Sequence, residues 1–400
     1  MKILITNAVP NNGGDEALLL ATVLGIRKKC GYAKITVLCN DADDVKKRIG
    51  FADIHCNWEY TINKYEGFLE EWKYRIRRYL KKKLRLNWND KFSLLLAGRL
   101  ERSVIKLYKE CDLVVSSAGG YIHDIYGYEM RVLAFQMAIS FKKKIVFFGQ
   151  SIGPFFQTND HESIKNVFAN SYRIYLREFI SKGHLNSIAY DGPNIFVTTD
   201  IAFTLHDSFG HLFVQEETNS SNIVVSFREW KYQVDSEFII NQAFLIVDYL
   251  ISKGYQVTFL STCQGVSGYA DDTLVAHAVQ DKLANDRKSN FCIDNKRYDP
   301  PTLIKKYSAF TAYVGMRLHG SILAMLGGTP AFNLGYEDKT EGIFQYCGIA
   351  DSQIGITANA EVILSKIGEF LKNRNRSSIK KIVENACNAA EHNFQVFEKL

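Results

Sequence analysis

The chain has 400 residues, of which 46% are hydrophobic and 23% charged, and its formal net charge is +6. This length exceeds what one simple core can hold and predicts two domains, and the 26 Phe and 21 Tyr exclude a disordered protein. No apolar run is long enough to span a membrane, and the first residues become polar too soon for a signal peptide. We therefore expect a globular protein of the cytoplasm.

The eight cysteines are scattered and form neither a CxxC pair nor a Cys/His cluster at metal-ligand spacing. This pattern favours reduced thiols over a disulfide framework or a zinc site. The expectation is therefore that these cysteines form no zinc site.

The chain opens with a predicted strand, loop and helix. Residues 2–7 form the strand, residues 9–14 form a loop that ends at Gly14, and Asp15 is expected to cap a helix that runs to about Lys29. The loop lacks the GxGxxG pattern, so a dinucleotide fingerprint is absent and no cofactor is expected. Because strands and helices keep alternating after it, we predict a doubly wound parallel sheet.

Residues 57–108 interrupt this alternation with a basic amphipathic helix at about 68–88. Apolar side chains recur in it at helical spacing, at Phe68, Trp72, Ile76, Tyr79, Leu80 and Leu84. Basic side chains lie between them, at Lys73, Arg75, Arg77, Arg78, Lys81, Lys82, Lys83 and Arg85. Two interpretations stay open: the apolar stripe packs on its own domain, or the helix makes a peripheral contact with an anionic membrane. A nucleic-acid patch is less favoured, and we expect no nucleic-acid partner.

A predicted strand at 112–116 leads into a pair of glycines and an acidic residue. Gly119 and Gly120 allow a ligand or another backbone to come close. Asp124, which follows them, is a candidate base or hydroxyl-binding group. The alternative is that it caps a helix that starts near Gly127.

The next predicted strand, at 144–149, ends in Gln150 and Ser151 before a Gly/Pro turn. Carboxyl ends of parallel strands share one edge of a sheet, so we expect these side chains to line the same crevice as the glycine pair. A polar stretch at 207–221 follows the last strands of this half, and we place the domain boundary there.

In the second half, predicted strands end at positively charged side chains. Arg228 directly follows the first of them, Arg317 and His319 share the turn after Gly315, and Lys339 follows a later one. Ligands bind at the carboxyl ends of strands in an open α/β sheet, and a helix amino terminus favours an anion. Several positive groups together indicate an anion site. The alternative is an arginine paired with a structural carboxylate and a histidine that only caps the helix.

The fold class predicted from this alternation is α/β, with two Rossmann-like doubly wound domains facing each other across a cleft in a GT-B-like arrangement. Residues 1–210 would form the amino-terminal domain with the basic insert at about 57–108. Residues 211–375 would form the carboxyl-terminal domain, which holds the positively charged strand ends. Residues 376–400 would form a final helix that packs back on the amino-terminal domain.

Four segments of the sequence resemble the polysaccharide pyruvyl transferase family, whose members ketalate sugars of capsular, exopolysaccharide and cell-wall glycans with phosphoenolpyruvate. The segments are 12–17; 117–120 with Asp124; 149–154; and 316–319 with 328–330 and 336–339. The resemblance implies a GT-B-like fold, no metal requirement, and a donor site made by Arg228, Arg317, Leu318 and His319. The basic insert has no counterpart in the family pattern.

The chemistry of phosphoenolpyruvate agrees with these residues, because its carboxylate and phosphate need several fixed positive groups. We expect Arg228, Arg317 and Lys339 to bind the anions and His319 to be the general acid, with Asp124 or Asp15 taking a hydroxyl proton. Residues expected on the acceptor side are Gly14, Gly119, Gly120, Gln150 and Ser151. The acceptor would be a glycan, in the usual case lipid-linked, which would give the basic helix a purpose at the inner face of the cell membrane.

Two other classes of protein remain open. A glycosyltransferase of the same architecture would bind a nucleotide sugar, and Glu337 and Asp338 lie near a suitable position for its ribose. A lectin-like or scaffold module would show no selection of Arg and His at strand ends.

Overall fold

The structure is a computed structural model, and it describes residues 1–40, 42–49, 53–56, 58–83, 88, 90, 95, 97–125, 127–156, 158–215, 221–230, 234–266 and 269–398. The chain divides into two compact units. The first unit contains Met1–Pro10, Thr22–Thr198 and His392–Leu400, and the second contains Asn11–Ala21 and Thr199–Glu391. This division differs from the expected 1–210, 211–375 and 376–400, since the chain passes to the second unit after Thr198.

The first unit is built on a parallel sheet. Its strands are β1 Lys2–Ala8, β2 Lys34–Cys39, β3 Asp53–Cys56, β4 Leu113–Ser116, β5 Gly119–Ile122, β6 Lys144–Ile152, β7 Arg173–Leu176 and β8 Ile195–Val197. They run in the order β3-β2-β1-β4-β6-β7-β8, and β5 pairs with β6. Apolar residues fill most of β1 because helices cover both faces of such a sheet. The order reverses between β1 and β4, as the alternating pattern predicts.

Helices complete the first unit. They are α1 Gly13–Lys29, whose first turns belong to the second unit, α2 Ala42–Ile49, α3 Trp58–Lys83, α4 Arg99–Glu110, α5 Glu129–Ser140, α6 Glu162–Ala169 and α7 Phe179–Ser187. Part of the core is an aromatic stack in which the ring of Phe147 lies 4.7 Å from Phe135 and 5.8 Å from Phe168. This packing joins α5 and α6 to β6.

The basic amphipathic segment forms helix α3, which is interrupted at Gly67. Tyr74 is buried in the core of the first unit, whereas Phe68 and Trp72 are exposed. The apolar stripe therefore does not pack on its own domain, so the first of the two interpretations is wrong for these residues. Leu84 and Arg85, and the side chains of Lys81 and Lys82, lie outside the described residues. No helix in the described part of the chain is both long and apolar enough to cross a membrane.

The second unit repeats the same architecture. Its sheet contains β9 Asn222–Ser226, β10 Gln256–Phe259, β11 Phe291–Ile293, β12 Ala312–Gly315, β13 Ala331–Gly335 and β14 Gln353–Gly355 in the parallel order β11-β10-β9-β12-β13-β14. Its helices are α8 Leu205–Phe209, α9 Ser236–Ser252, α10 Thr273–Lys282, α11 Pro300–Tyr307, α12 Leu318–Leu326, α13 Asp338–Tyr346, α14 Ala360–Asn373 and α15 Arg376–Glu391. The stretch expected to be a linker, 207–221, contains the end of α8, and its residues 216–220 lie outside the description.

The carboxyl-terminal tail divides between the two units. Helix α15 belongs to the second unit, where the buried guanidinium of Arg376 donates to the carbonyl oxygens of Val214 and Ser308, each at 3.1 Å. A 3-10 helix, His392–Glu398, belongs to the first unit, where Phe394 lies 5.3 Å from Phe148. One continuous helix to the end of the chain was the expectation, and it was wrong because α15 ends at Glu391.

Candidate active site

The strand order of the second unit reverses between β9 and β12, which are paired neighbours. Arg228 lies two residues beyond the end of β9, and Arg317 lies two residues beyond the end of β12. A crevice forms outside the carboxyl ends of the strands at such a reversal, and ligands bind there in open α/β sheets. The two arginines therefore lie at the same edge of one sheet, as the sequence predicts.

Arg317 is the residue before helix α12 and is held by a carboxylate. Its Nε donates to Oδ2 of Asp272 at 2.7 Å, and its Nη2 donates to Oδ1 at 2.5 Å. Both side chains are nearly buried. Burial opposes the charge, but Asp272 more than offsets it and holds the pKa of Arg317 well above its usual value. The alternative of a paired arginine therefore describes Arg317, and a bound anion would share this guanidinium with Asp272.

Arg228 is held by aromatic rings instead. Its Nη1 donates to the hydroxyl of Tyr336 at 2.9 Å, and its guanidinium carbon lies 5.0 Å from the ring of Tyr336 and 5.3 Å from that of Trp230. In the part of the chain that the structure describes, it has no ion-pair partner. Such stacking orients a guanidinium and leaves its charge uncompensated, so Arg228 is well suited to a bound anion.

His319 lies in the first turn of α12, between a carboxylate and a glycine. Its Nε2 is 3.4 Å from Oδ2 of Asp200, a distance that is long for a hydrogen bond but within the range of an ion pair. Asp200 is fully buried, and its Oδ1 accepts from the amide of Ala202 at 2.9 Å. On the other side, a Cβ added to Gly14 would lie 2.6 Å from Nδ1 of His319. Gly14 therefore permits the close contact between α1 and the imidazole.

Asn12, and not Asp15, caps helix α1. The side-chain oxygen of Asn12 accepts from the amides of Gly14 and Asp15, each at 3.0 Å, and its Nδ2 donates to Asp15 Oδ2 at 2.6 Å. The expected cap was wrong because the helix begins at Gly13, three residues earlier than a cap at Asp15 would place it. Asp15 lies in the first turn, where a carboxylate is favoured by the helix dipole.

Lys339 is in helix α13, close after β13. Its ammonium group forms an ion pair with Glu337, and none of its contacts within the described residues reaches Arg317 or His319. Leu318, the first residue of α12, is buried. The donor-binding roles expected for Lys339 and Leu318 stay predictions.

The predicted site residues of the first unit form hydrogen bonds with other residues of that unit. Asp124 accepts from the amide of Phe156 at 2.6 Å and lies 3.0 Å from Nε2 of His161. The alternative that Asp124 caps the next helix is wrong, since α5 begins at Glu129 and the residue at its N-cap is Tyr128. The catalytic role of Asp124 stays a prediction.

Gln150 and Ser151 are also buried and bonded. Gln150 Nε2 donates to the carbonyl of Gly119 at 2.5 Å, and Ser151 Oγ accepts from Arg177 Nε at 2.6 Å. Gly119 has φ of +145°, which favours glycine, and Gly120 lies beside it in β5. The acceptor-side roles of all four residues stay predictions.

Two carboxylates of the site, Asp200 and Asp272, were missed by sequence reasoning. Asp200 comes three residues after β8 ends at Val197, so the rule that found Arg228 could have found it. Asp272 directly precedes α10 in a segment without periodicity, and only the tertiary fold brings it to Arg317. Among the described residues, no group of three or more His, Cys, Asp or Glu side chains is arranged to hold a metal ion.

Two Rossmann-like parallel sheets, with charged residues at the strand ends of the second, define an α/β protein of the GT-B class. Two solved structures share this fold: UDP-GlcNAc 2-epimerase from Neisseria meningitidis bound to UDP-GlcNAc, with a TM-score of 0.58 at 12% identity over 100% of this chain and 99% of that chain, and HepE from Anabaena in complex with UDP-glucose, with a TM-score of 0.58 at 12% identity over 100% and 98%. The predicted fold class is thereby confirmed.

The sequence comparison is more specific than the fold. The profile of the family described as polysaccharide pyruvyl transferase matches residues 12–338, and the chain belongs to this family. A relative, the amylovoran biosynthesis protein AmsJ of Erwinia amylovora, is 26% identical over 283 residues, which are 66% of this chain and 66% of that protein.

Proposed function

We propose that the protein is a pyruvyltransferase that uses phosphoenolpyruvate to form a pyruvate ketal on two hydroxyls of a glycan sugar and releases phosphate. Family membership and the likeness to an amylovoran biosynthesis protein support the general class of reaction. The observation that carries the donor assignment is the position of Arg228 and Arg317 beyond paired strands at the sheet reversal of the second unit. A donor with one carboxylate and one phosphate matches two guanidinium groups.

The two arginines would bind the donor differently. Arg228 has an uncompensated charge and is oriented by aromatic rings, so it can bind an anion without losing a carboxylate partner. Arg317 is fixed by Asp272 and offers its remaining N–H groups to the same donor. Asp272 is thus a positioning residue that keeps Arg317 in one orientation.

His319 is proposed as the general acid. In its imidazolium form it donates a proton to the methylene carbon of phosphoenolpyruvate while a sugar hydroxyl adds to the central carbon. Asp200 lies 3.4 Å from Nε2, where it can hold the imidazole ring in one orientation. Asp15 is the better placed of the two expected bases, since Gly14 beside it touches the imidazole, whereas Asp124 is bonded to His161.

The second step forms the other bond of the ketal. The second hydroxyl adds to the central carbon as the bond to the phosphate oxygen breaks, and its proton leaves with the phosphate. The proton that Asp15 took from the first hydroxyl returns to His319. Each turnover thus moves one hydroxyl proton to the new methyl group and one to phosphate, and it needs no oxidant or reductant.

The acceptor is proposed to be a lipid-linked glycan, made in the cytoplasm before export. The family and the amylovoran relative support a polysaccharide acceptor. The identity of the sugar would follow from acceptor trials with phosphate release as the readout.

Donor binding is the first test. We expect phosphoenolpyruvate to raise the melting temperature of the parent and to give saturable heats in calorimetry, because a ligand that binds only the folded state stabilises it. Arg228→Ala and Arg317→Ala should abolish both signals. Arg287→Ala is the matched control, since Arg287 also pairs with a carboxylate, that of Asp248, but on α9 away from the strand ends.

The same titration tests a second function. The two structural neighbours were solved with UDP-GlcNAc and UDP-glucose, which supports trying nucleotide sugars as donors. A shift with a UDP-sugar and none with phosphoenolpyruvate would assign the chain to glycosyl transfer and Arg317 to a diphosphate. A shift with neither ligand would overturn both assignments.

A further inference from the structure

Helix α3 exposes an apolar face in its second part, after the interruption at Gly67. We call this surface the outer face of α3, and the exposed fractions of its side chains are Phe68 79%, Leu69 71%, Trp72 60%, Ile76 39% and Tyr79 62%. Single exposed apolar residues are normal on proteins, but a contiguous set of large ones marks an interaction surface.

The outer face is a consequence of how α3 packs. At about 100° per residue, its five side chains fall within an arc of roughly 120° on the helix. The opposite side faces the first unit, where Tyr74 is buried and Arg77 lies 3.7 Å from Glu70. The helix therefore buries a mixed polar side and presents its apolar side to solvent, the reverse of an ordinary surface helix.

Basic side chains flank the outer face. Between Phe68 and Lys83 the sequence has seven basic residues and two acidic ones. The two acids are already paired, Glu70 with Lys73 at 2.5 Å and Glu71 with Arg75 at 2.6 Å. The segment thus combines an exposed aromatic and aliphatic stripe with a net positive charge.

We propose that the outer face of α3 docks the protein on an anionic lipid bilayer, with the helix lying in the interface. Trp and Tyr side chains favour the headgroup level, Phe, Leu and Ile enter the acyl boundary, and Lys and Arg pair with anionic headgroups. No described helix can span a membrane, so the contact is peripheral. The inference stands on α3 alone and is independent of the donor and of the reaction.

Two other occupants fit the surface less well. A second copy of the chain would bring the basic residues of two α3 helices together, and like charges in contact are unfavourable. A nucleic acid would match the basic residues and could stack on Trp72 and Tyr79, but it would leave Leu69 and Ile76 without apolar partners. A bilayer satisfies the charge, the aromatic rings and the aliphatic side chains together.

Vesicle flotation with the full-length protein tests the proposal. We expect binding to vesicles of phosphatidylcholine with phosphatidylglycerol, little binding to phosphatidylcholine alone, and release as salt is raised. The double variant Trp72→Ser/Tyr79→Ser should partition at least about tenfold more weakly, because each aromatic side chain loses its apolar burial. Arg75→Glu/Arg78→Glu should lose the preference for the anionic lipid.

Leu274→Ser is the matched control. Leu274 is 64% exposed on α10 of the second unit, so its loss removes a comparable apolar side chain from another surface and should leave flotation unchanged. All variants should keep the parent melting temperature, since the altered residues are exposed, and they should titrate phosphoenolpyruvate as the parent does. A failure of donor binding in the parent would then concern the proposed reaction and leave the docking result intact.

Several outcomes would overturn the docking proposal. These are no flotation on anionic vesicles, flotation that survives both double variants, or equal binding to neutral vesicles. A dimer in sedimentation velocity that Trp72→Ser/Tyr79→Ser dissociates, without vesicle binding, would assign the face to a second copy. Binding to single-stranded nucleic acid with no vesicle binding would assign it to that partner.

Discussion

In the first unit, polar residues beyond the strand ends are bonded to that unit's own backbone and to one another, whereas in the second unit they are charged groups gathered at one sheet reversal. Each unit has a histidine beside a carboxylate: His161 lies 3.0 Å from Asp124 in the first, and His319 lies 3.4 Å from Asp200 in the second. Phe156 donates its amide to Asp124 at 2.6 Å, so this carboxylate also holds a turn.

The difference between the two pairs concerns their surroundings. In the second unit, His319 follows the same strand as Arg317, and Arg228 follows the strand paired with it. Arg228 has no ion-pair partner among the described residues. In the first unit, the ring of His161 makes an edge-to-face contact with Phe155, with ring centroids 5.0 Å apart. A polar residue at a strand end thus indicates a site when a charge remains available there for a ligand, and a structural role when its bonds are already made.

Replacing the histidine in each unit should show the difference between the two units most clearly. His319→Ala is expected to lower the turnover number by about 10²–10⁴-fold while changing phosphoenolpyruvate affinity far less, since it removes a proton donor. His161→Ala should lower the melting temperature and leave the turnover number of the folded enzyme within about tenfold of the parent. Phosphate release and calorimetry measure both effects. An unchanged turnover number in His319→Ala would remove it as the acid.

Replacing one carboxylate in each unit should lower the free energy of unfolding by different amounts. Asp272→Asn leaves the buried Arg317 without a charged partner, and loss of one member of such a pair costs about 3–5 kcal/mol. Asp124→Asn keeps an oxygen for the Phe156 amide and should cost only about 1–2 kcal/mol. Urea unfolding gives both values. Equal losses would mean that Arg317 finds another partner, and the positioning role of Asp272 would be abandoned.

The strand-end positions of Arg228, Arg317 and His319 could be predicted from sequence because apolar runs and turn residues mark where strands stop. The pairing of Arg317 with Asp272 could not be predicted, because the two residues are 45 positions apart and meet only through tertiary packing. Local chemistry was ambiguous at α1, where Asn12 and Asp15 are both good capping residues. The boundary after Thr198 was missed because no change in composition marks it.

A methyl group placed on Gly14 should test the contact between α1 and the imidazole. In Gly14→Ala the new Cβ would lie 2.6 Å from Nδ1 of His319, so either the ring or the helix must move. We expect turnover to fall by about tenfold to a hundredfold, because small misplacements of a catalytic group are costly. Gly183→Ala is the control in the first unit, since its Cβ would meet nothing within 4 Å, and helix α7 should gain about 0.5–1 kcal/mol. A fully active Gly14→Ala would show that the close contact is not needed.

The smallest expected effect concerns two buried thiols, one in each unit. Burial raises the pKa of Cys263, beside Arg317 and Asp272, to about 11, and it raises the pKa of Cys111 in the first unit to about 11 as well. The folded state therefore holds each proton more tightly than the unfolded chain. The stability that each thiol contributes is complete below about pH 9 and is lost as the pH rises through about 11.

At pH 10, ionisation of each thiol should therefore lower the free energy of unfolding of the parent by about 1.4 kcal/mol relative to pH 8. This value corresponds to one pKa unit of difference in ionisation between the folded and unfolded states. Urea unfolding of the parent, Cys263→Ala and Cys111→Ala at the two pH values isolates the effect from other groups that titrate there, since each variant should lose less stability than the parent by that amount. If the two variants differ from the parent by the same amount, burial sets the thiol pKa in both units despite the charges around Cys263. A smaller difference for Cys263→Ala would show that Arg317 stabilises the thiolate, and hence that the field at the second sheet's strand ends is net positive even with Asp272 in place.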